Sequence, residues 1–469
     1  MAFNSVQYLL FLILIVALYW AVPLRHRPAV LLGASLVFYG YRAWWYNLLL
    51  LFAITVAFFT ARALPGMDAT RKKWAVRVAI TSQIGVLGLF KSLGALSFAD
   101  GGVSGVLLPA GLSFYTFQAV SYLIDVRRGD YEPEQNFVVF AAFVSFFPHL
   151  LAGPIVRARR LIPQIVNGRA GLKKRQASEG LELILVGLFK KVAIADFVLG
   201  VTRDYQPRLL ANDGTDPFVL IIVIIMLVLL GGYFDIAGYI DIARGSSKLL
   251  GIELPHHFAQ PLTRSKNFTD FWRRWQTTLM AFLRDYLFSA VRGTRSKRGR
   301  RVSIGVTVVF LAVSLWHGLN IGFLLFGLTV SGLMYTERRV TQFCVKRRKP
   351  GRDSTAKRRA KRVGGIIWVW ICLVLTQVVL VTGGQLGDVS RIFRIAAIDL
   401  RPIDFSLAVT VVFAFTMLVV LDRFERAQTA REGFPAPVTW VRAVGFAAMA
   451  LGILIASGST AQDFVYTAF

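Results

Sequence analysis

Residues 302–337 have the sequence VSIGVTVVFLAVSLWHGLNIGFLLFGLTVSGLMYTE, which is apolar almost throughout and carries a single histidine, His317, near its centre. Basic clusters flank this stretch on both sides, at residues 292–301 and 338–349. An ionisable side chain inside a membrane-length apolar segment is costly, so such a residue is a functional candidate by default. The stretch therefore predicts a membrane-embedded helical fold that is organised around an intramembrane histidine.

The two apolar halves of this stretch are each short for a membrane span. Residues 302–315 and 320–335 comprise about 14 and about 16 residues. At a rise of about 1.5 Å per residue, each half is shorter than a hydrocarbon core of about 30 Å. If both basic flanks are cytoplasmic, the segment is a hairpin whose turn places His317 deep in the membrane. A single long tilted helix is the alternative, and it also keeps His317 inside the bilayer.

The composition of the whole chain predicts an all-α, polytopic helical membrane protein. Of the 469 residues, 55% are hydrophobic, the mean hydropathy is +0.57, and long apolar runs recur from end to end. That pattern indicates about 11 transmembrane helices plus re-entrant or interfacial helices. No polar stretch is long enough to fold alone, so residues 1–469 are expected to form one membrane-embedded domain.

The formal net charge of +28 comes from short basic clusters between the apolar runs. This distribution is the positive-inside pattern combined with attraction to anionic lipid headgroups, and it argues against nucleic acid as a partner. If the basic loops are cytoplasmic, the N-terminus and the C-terminus are both extracytoplasmic. The two cysteines, Cys344 and Cys372, indicate neither a disulfide framework nor a metal site.

Residues 137–155 depart from a simple series of spans. They carry Pro148 and Pro154, and both of their flanks have a cytoplasmic character. Such a segment favours a re-entrant element over a full span, because irregular backbone is tolerated where it lines a cavity or packs on protein. His149 in this element either lines a substrate path or makes a packing contact.

The run at residues 181–199 has Lys190 and Lys191 at its middle. Two adjacent ammonium groups would not lie at the bilayer centre of a lipid-exposed helix, so we expect this run to be interfacial or tilted. Asp241 and Arg244 are three residues apart and are expected to form a structural ion pair without a chemical role.

The stretch before the histidine segment is dense in aromatic and charged groups. Its candidate substrate-path residues are Trp272, Arg273, Arg274, Trp275, Asp285 and Tyr286, and Gln276 in the same stretch is a candidate catalytic residue. A continuous helix would put Trp272, Trp275 and Gln276 on one face, and the two arginines could pair with a phosphate or a carboxylate. An interfacial amphipathic helix with an aromatic belt is the alternative. Asp285 is expected to form an ion pair with Arg284, while His256 and His257 are expected to lie in a solvated loop.

Residue chemistry alone leaves two interpretations of His317 open. It is either a buried histidine that bonds a neighbouring helix or a general base, since a neutral imidazole can take a proton near pH 7. Trp316 supplies an aromatic wall beside it, and Gly318 has no side chain to obstruct a substrate. Asn320, in the same predicted turn, is a further candidate for the substrate path.

Short motifs along the chain give it a resemblance to a known family. They are GLSFYTFQ at residues 111–118, FFPH at 146–149, GLFKK at 187–191, YFD at 233–235, FWRRW at 271–275, LRDYL at 283–287, LWHG at 315–318 and FVY at 464–466. By these motifs the chain resembles the membrane-bound O-acyltransferases, in particular the bacterial alginate O-acetylation and teichoic-acid D-alanylation branch. The resemblance covers nearly the whole chain, with a core at about residues 107–340.

The resemblance implies that His317 is the catalytic histidine at the bottom of an intramembrane tunnel. It implies a thioester donor, acetyl-CoA or a similar molecule, that enters from the cytoplasm as a co-substrate, with no bound cofactor. It also implies a hydroxyl acceptor on the other side: an extracytoplasmic glycan or other cell-envelope molecule, or a membrane-anchored or extracytoplasmic partner protein that relays the acyl group. The implied location is the bacterial cell membrane.

One position departs from that branch, because Gln276 stands where a second histidine usually follows Trp-Arg-Arg-Trp. Other branches of the family have an asparagine or an aspartate there. An amide can orient a substrate or donate a hydrogen bond to an oxyanion, but it cannot take a proton. Of the two positions, only His317 is then a candidate general base.

Two functions other than acyl transfer stay open. In a transporter or flippase for a polar lipid or glycan, the polar elements at membrane depth would line a path, although no internal repeat is visible. A catalytically inactive scaffold is the third hypothesis, and Gln276 is the observation that motivates it.

Overall fold

The computed structural model describes residues 1–99, 109–151, 153–210, 218–259, 262–289, 298–318, 321–346, 354–381, 405–429 and 440–456. Within these ranges all regular secondary structure is helical. The chain divides into two compact units. The first comprises Met1–Ala193, Asp235–His256 and Thr439–Phe469, and the second comprises Ile194–Phe234 and His257–Val438.

The helices are numbered in chain order. Those of the first unit are α1 (Val6–Ala21), α2 (Arg27–Gly40), α3 (Tyr46–Ala63), α4 (Ala69–Ala99), α5 (Leu112–Arg128), α6 (Phe137–Ser145), α7 (Phe147–Leu150), α8 (Ala158–Val166) and α9 (Lys174–Leu188). A π-helical turn, Phe189–Ala195, leads into α10 (Asp196–Leu210). Helix α11 (Phe218–Leu249) contributes its first part to the second unit and its part from Asp235 onward to the first.

After α11, six of the described helices belong to the second unit, and a last helix belongs to the first. The first five of the six are α12 (Phe268–Arg274), α13 (Thr277–Phe282), α14 (Arg298–His317), α15 (Ile321–Lys346) and α16 (Thr355–Val381), and they are followed by α17 (Phe405–Thr429) and α18 (Trp440–Ala456). Of these, α17 lies in the second unit and α18 in the first. A π-helical turn, Leu283–Phe288, follows α13 directly.

Five of the described helical segments are long and apolar enough to cross a membrane: Tyr46–Gly66, Ala69–Leu93, Leu220–Leu249, Arg359–Val379 and Phe405–Phe424. Shorter apolar helices include Val6–Ala21 and Ser303–His317. Apolar side chains such as Ile13 and Leu14 point outward, with 67% and 65% of their surface exposed, as expected for contact with lipid. The predicted class, a multi-pass helical membrane protein, is confirmed, whereas the number of spans and the sides of the termini stay predictions.

Aromatic side chains form much of the core of the first unit. The ring centroids of Tyr8, Phe38 and Phe147 lie 5.8 to 6.5 Å from one another. The Tyr8 hydroxyl also donates a 2.8 Å hydrogen bond to Ser246 on α11. Aromatic pairs of this kind contribute about 0.5–1.5 kcal/mol beyond the area they bury. They join α1, α2 and α7 to the later part of α11.

The segment at residues 137–155 is broken into short helices, as its prolines predict. Helix α6 ends at Ser145, and α7 begins at Phe147 with Pro148 in its first turn. All side chains from 139 to 150 are buried. With nine residues, α6 is only about 13 Å long, too short to cross a hydrocarbon core. A broken, protein-packed element agrees with the re-entrant interpretation, and its depth in a bilayer stays a prediction.

Lys190 and Lys191 are both buried and paired, which the sequence did not predict, while the interfacial or tilted position of their run stays a prediction. The Lys190 ammonium lies 2.6 Å from Asp241, and the Lys191 ammonium lies 2.8 Å from Asp235. Arg244 lies 3.3 Å from Asp241, as predicted. Buried charges are tolerated when they are paired, and here the partners follow more than 40 residues later in the chain. The apolar run alone could not show these partners.

Four glycines allow α9 and α11 to approach at backbone distance. They are spaced seven apart on each helix, Gly180 and Gly187 on α9, Gly238 and Gly245 on α11. A Cβ added to Gly187 would lie 2.6 Å from the Gly238 carbonyl oxygen, and one added to Gly245 would lie 2.5 Å from the Gly180 carbonyl oxygen. Small residues permit such contact between membrane helices. The pairing shows that the two helices run antiparallel, and it brings the two lysines to their aspartates.

Candidate active site

Helices α14 and α15 form the hairpin that was predicted around His317. A Cβ added to Gly327 on α15 would lie 2.8 Å from the Phe310 carbonyl oxygen on α14, so the two helices touch at backbone distance. Phe310 precedes His317 by seven residues and Gly327 follows it by ten, so the chain reverses its direction between them. The alternative of one long tilted helix is therefore wrong. Asn320 lies outside the described residues, and its role stays a prediction.

His317 is the last residue of α14 and is half-buried between aromatic rings. Its ring centroid lies 4.8 Å from that of Trp316 and 5.9 Å from that of Phe323 on α15. The Phe323 ring is nearly parallel to the imidazole, at 15°. A Cβ added to Gly318 would collide with the Phe323 ring. The absence of a side chain at Gly318 thus allows Phe323 to stack beside the imidazole.

Helix α12 carries the FWRRW motif and ends earlier than predicted. Its last residue is Arg274, Trp275 is extended with φ −79° and ψ 127°, and Gln276 is left-handed with φ 43° and ψ 54°. Gln276 is the only non-glycine residue with positive φ in the part of the chain that the structure describes. Trp272, Trp275 and Gln276 therefore do not share a helical face, and that prediction is wrong.

Backbone pairing with residues 257–259 takes the chain out of the helix. The Ala259 N–H donates to the Arg274 carbonyl at 2.9 Å, and the Thr277 N–H donates to the His257 carbonyl at 2.6 Å. These bonds require a sharp reversal between Arg274 and Thr277, which the left-handed Gln276 provides. His257 was expected in a solvated loop, but it is only 5% exposed, and its Nδ1 lies 2.7 Å from the Thr278 hydroxyl.

The backbone of Gln276 is strained, and its side chain is buried. A residue other than glycine costs about 1–2 kcal/mol in the left-handed region. The Gln276 side chain is 5% exposed, so the surrounding contacts hold both the backbone and the amide in place. Strained residues cluster at active sites, where pre-organisation is part of the mechanism. The strain supports the candidate role of Gln276.

Trp272 packs α12 onto the histidine hairpin. Its ring centroid lies 4.9 Å from that of Phe310 on α14 and 6.5 Å from that of Phe326 on α15. Trp275 faces a different aromatic group, with its centroid 5.1 Å from that of Phe258 and 5.9 Å from that of Tyr233. The structure thus brings Trp272 to the hairpin that carries His317, whereas Trp275 lines another part of the second unit.

The two arginines of the motif have different environments. Arg274 lies 3.3 Å from Asp270, in an ion pair within α12. Arg273 is exposed, so it is the better candidate for a phosphate or carboxylate partner. Asp285 lies 2.9 Å from Arg284, as predicted. Tyr286 is buried, with its ring centroid 5.0 Å from that of Phe282.

A small apolar cavity of about 40 Å³ lies beside Trp275 within the second unit. Its walls include Leu229 and Tyr233 of α11, Val369 of α16 and Leu418 of α17. Apolar walls of this kind suit a hydrocarbon group rather than a phosphate. Residue patterns did not predict this cavity, because its walls come from helices that are far apart in sequence.

His149 belongs to the first unit, where it is fully buried beside Gln118. The Gln118 amide nitrogen lies 2.6 Å from His149 Nε2 and donates to it. The proton of the neutral imidazole is then on Nδ1, which has no hydrogen-bond partner among the described residues. Both interpretations of His149, as a packing residue and as a substrate-path residue, stay open.

Comparisons with known proteins give a consistent result. A family model described as MBOAT, membrane-bound O-acyltransferase family, matches residues 134–382, which include α12 and the histidine hairpin. The chain is 37% identical over 334 residues to the probable alginate O-acetylase AlgI of Pseudomonas fluorescens, covering 70% of this chain and 64% of that protein.

More distant relatives have related names. A peptidoglycan O-acetyltransferase of Helicobacter pylori is 30% identical over 334 residues, covering 63% of this chain and 61% of that protein. A teichoic acid D-alanyltransferase of Bacillus subtilis is 29% identical over 243 residues, covering 48% of this chain and 57% of that protein. The matched region spans less than two thirds of the length of each of these relatives.

Proposed function

The chain belongs to the membrane-bound O-acyltransferase family, and we propose that it transfers an acyl group from a cytoplasmic thioester to a hydroxyl of an extracytoplasmic glycan. Acetyl is the proposed acyl group, because relatives are named for O-acetylation of alginate and of peptidoglycan. The observation that carries the proposal is the position of His317 at the reversal of the α14–α15 hairpin, flanked by Trp316 and Phe323.

In the proposed reaction His317 is the general base. Its neutral imidazole removes the proton of the acceptor hydroxyl while the hydroxyl oxygen attacks the thioester carbonyl. The carbon–sulfur bond then breaks, and the proton held by the imidazole passes to the leaving thiolate. The acyl group is left as an ester on the acceptor, and the histidine is neutral again for the next cycle.

Gln276 is the proposed hydrogen-bond donor to the acyl oxygen. Its amide is buried and its backbone is held in a strained conformation, as expected for a group that is placed before the substrate arrives. A donor aimed at a developing oxyanion lowers the barrier to acyl transfer. An amide cannot accept the proton, so the proton transfer is assigned to His317 alone.

The proposed donor is acetyl-CoA or a similar acyl thioester, used as a co-substrate. Its phosphates are attracted to the basic cytoplasmic loops and to exposed groups such as Arg273. The proposed acceptor is a cell-envelope glycan, or a membrane-anchored or extracytoplasmic protein that relays the acyl group to one. The proposed location is the bacterial cell membrane, with both termini outside the cytoplasm.

Replacement of His317 by alanine tests the proposal. Loss of a general base is expected to reduce the rate of transfer of labelled acetyl from acetyl-CoA to a glycan acceptor by about 10²–10⁴-fold in proteoliposomes. The control is His256→Ala, because His256 is exposed and bonds Arg244 in the first unit. Both variants are expected to insert into the membrane normally. Transfer at the normal rate by the His317→Ala protein would refute the assignment.

An inactive scaffold is the competing function, and Gln276 in place of a histidine is the observation behind it. The same assay separates the two functions. If the unmodified protein shows no transfer and Gln276→His creates it, the scaffold hypothesis is correct. Flux of a polar lipid or glycan across the proteoliposome membrane without acyl transfer would instead support a transporter.

A further inference from the structure

The Glu337 carboxylate on α15 accepts hydrogen bonds from the first residues of α12. One oxygen accepts from the Phe268 N–H at 2.7 Å. The other accepts from the Thr269 N–H at 3.1 Å and from the Thr269 hydroxyl at 2.7 Å. The Trp368 indole N–H, on α16, donates to the first oxygen at 3.2 Å. One half-buried carboxylate thus joins three helices.

Helix α12 also has a local cap besides Glu337. Its own N-terminal residue Asn267 accepts a hydrogen bond from the Asp270 N–H at 2.7 Å. The Asp270 carboxylate accepts in turn from the Lys266 N–H at 3.0 Å. These two bonds cap the start of the helix locally, while the Phe268 and Thr269 N–H groups donate to Glu337. The bonds to Glu337 come in addition, and their effect is to fix where α12 lies on its neighbours.

The other end of α12 is held on the same hairpin by Trp272. That side chain packs against Phe310 and Phe326, and Phe326 precedes Glu337 by eleven residues, or about 16 Å along α15. Because these two contacts are far apart on one rigid helix, they fix both the position of α12 along the axis of α15 and its orientation. Gln276 follows two residues after α12 ends, so its position depends on that of α12.

We propose that Glu337 is a positioning residue for acyl transfer. It fixes the position of α12 along the α14–α15 hairpin, which reverses its direction at His317. In this way it sets the position of the Gln276 amide. This inference rests on the proposed function. Both carboxylate oxygens are occupied by donors, and glutamine offers only one acceptor oxygen. In a Glu337→Gln protein the side-chain NH₂ would face other N–H donors, and α12 would lose part of its anchor.

The test is Glu337→Gln in the full-length protein in lipid nanodiscs. Hydrogen exchange measured by mass spectrometry is expected to become about tenfold faster in residues 267–276 and to stay unchanged in residues 303–317, because the backbone N–H groups bonded to Glu337 belong to α12. The kcat for acetyl transfer is expected to fall about tenfold, with the KM for acetyl-CoA and the melting temperature unchanged. Thr269→Val, which removes one donor, is expected to give a smaller effect of the same kind.

The matched control is Tyr335→Phe. It removes a hydroxyl that accepts from Arg339 two residues before Glu337 on the same helix, and it is expected to change neither exchange nor kinetics. Unchanged exchange in residues 267–276 of Glu337→Gln would overturn the inference. So would faster exchange throughout the second unit with a lower melting temperature, since that result indicates a general structural role. If the unmodified protein transfers no acetyl, the proposed function fails, while the exchange data still decide whether Glu337 anchors α12.

Discussion

At Gln276 the backbone and the side chain make separate demands on the residue. The positive φ favours glycine, asparagine, aspartate and histidine, whereas the proposed chemistry needs an amide or another hydrogen-bond donor. Glutamine satisfies the second demand at some cost in the first. Histidine, asparagine and aspartate, which the resemblance implies for this position in other branches, all tolerate a left-handed backbone.

Substitutions at Gln276 can separate these two demands. Gln276→Gly is expected to raise the free energy of unfolding by about 1 kcal/mol, because the strain is relieved, and to lower the transfer rate by about 10²-fold, because the donor is lost. Gln276→Asn keeps a side-chain amide, and asparagine adopts the left-handed conformation more readily than glutamine. This variant is expected to be at least as stable as the unmodified protein and to lose much less of the transfer rate than Gln276→Gly. Unfolding in mixed micelles and labelled-acetyl transfer measure both quantities. A Gln276→Gly protein with an unchanged rate would show that the side chain has no role in catalysis.

The candidate site residues were easier to predict from the sequence than their backbone conformations. His317, Trp316 and the FWRRW motif were visible because polar and aromatic groups stand out in an apolar chain. The left-handed turn at Gln276 was not, since it results from pairing with residues 257–259, which is a tertiary contact. The ion pairs of Lys190 and Lys191 were not visible for the same reason, because the aspartates that neutralise them lie on another helix.

Helices predicted from apolar runs have nearly correct positions when their ends are marked by charge. The α14–α15 hairpin was predicted from its two basic flanks and its short halves, and the structure confirms it. In contrast, α11 carries Gly231 and Gly232 in its interior and still continues to Leu249 as one helix. A Cβ added to Gly231 would lie 2.7 Å from a Leu199 methyl, so this glycine permits helix packing rather than ending the helix. Sequence alone does not distinguish these two uses of glycine.

The tight packing of α9 on α11 leads to a prediction about glycines within one helix. A Cβ added to Gly238 would lie 2.7 Å from the Gly187 carbonyl oxygen and 2.9 Å from the Lys191 backbone nitrogen. Gly238→Ala is therefore expected to destabilise the protein by about 1–3 kcal/mol, as overpacking does. Gly232, six residues earlier in α11, has no atom within 4 Å of such a Cβ, so Gly232→Ala is expected to be neutral or to stabilise by up to about 1 kcal/mol. Equal melting temperatures for the two variants would contradict the close packing.

For the whole molecule, the class of protein was predictable and the arrangement of its helices was not. An apolar exterior such as that of α1 reflects the lipid that surrounds it, and lipid imposes a strong bias on composition. The number of spans cannot be read from composition, because an apolar run is not always a single membrane-spanning helix. Some apolar runs contain broken helices such as α6 and α7, and others contain buried charges. The family assignment rests on a match over residues 134–382, which extends over many helices rather than any single element.

The charge distribution of the whole chain predicts on which side the donor is used. The net charge of +28 comes from basic clusters that the positive-inside pattern assigns to the cytoplasm, and in the proposed function these clusters attract the phosphates of acetyl-CoA. In proteoliposomes with the protein in one orientation, transfer is expected only when acetyl-CoA is on the side of these basic loops and the glycan is on the opposite side.

Salt gives an independent measure of the same charge effect. Raising the ionic strength from about 0.1 M to about 1 M shortens the screening length from about 10 Å to about 3 Å, so the KM for acetyl-CoA is expected to rise several-fold while kcat changes little.

Detergent permeabilisation is the control for the experiment with oriented proteoliposomes, because it should make transfer independent of the side on which each substrate is added. Equal use of acetyl-CoA from either side of intact, oriented vesicles would contradict the proposed direction. That result would also remove the reason for assigning the basic loops a role in donor binding.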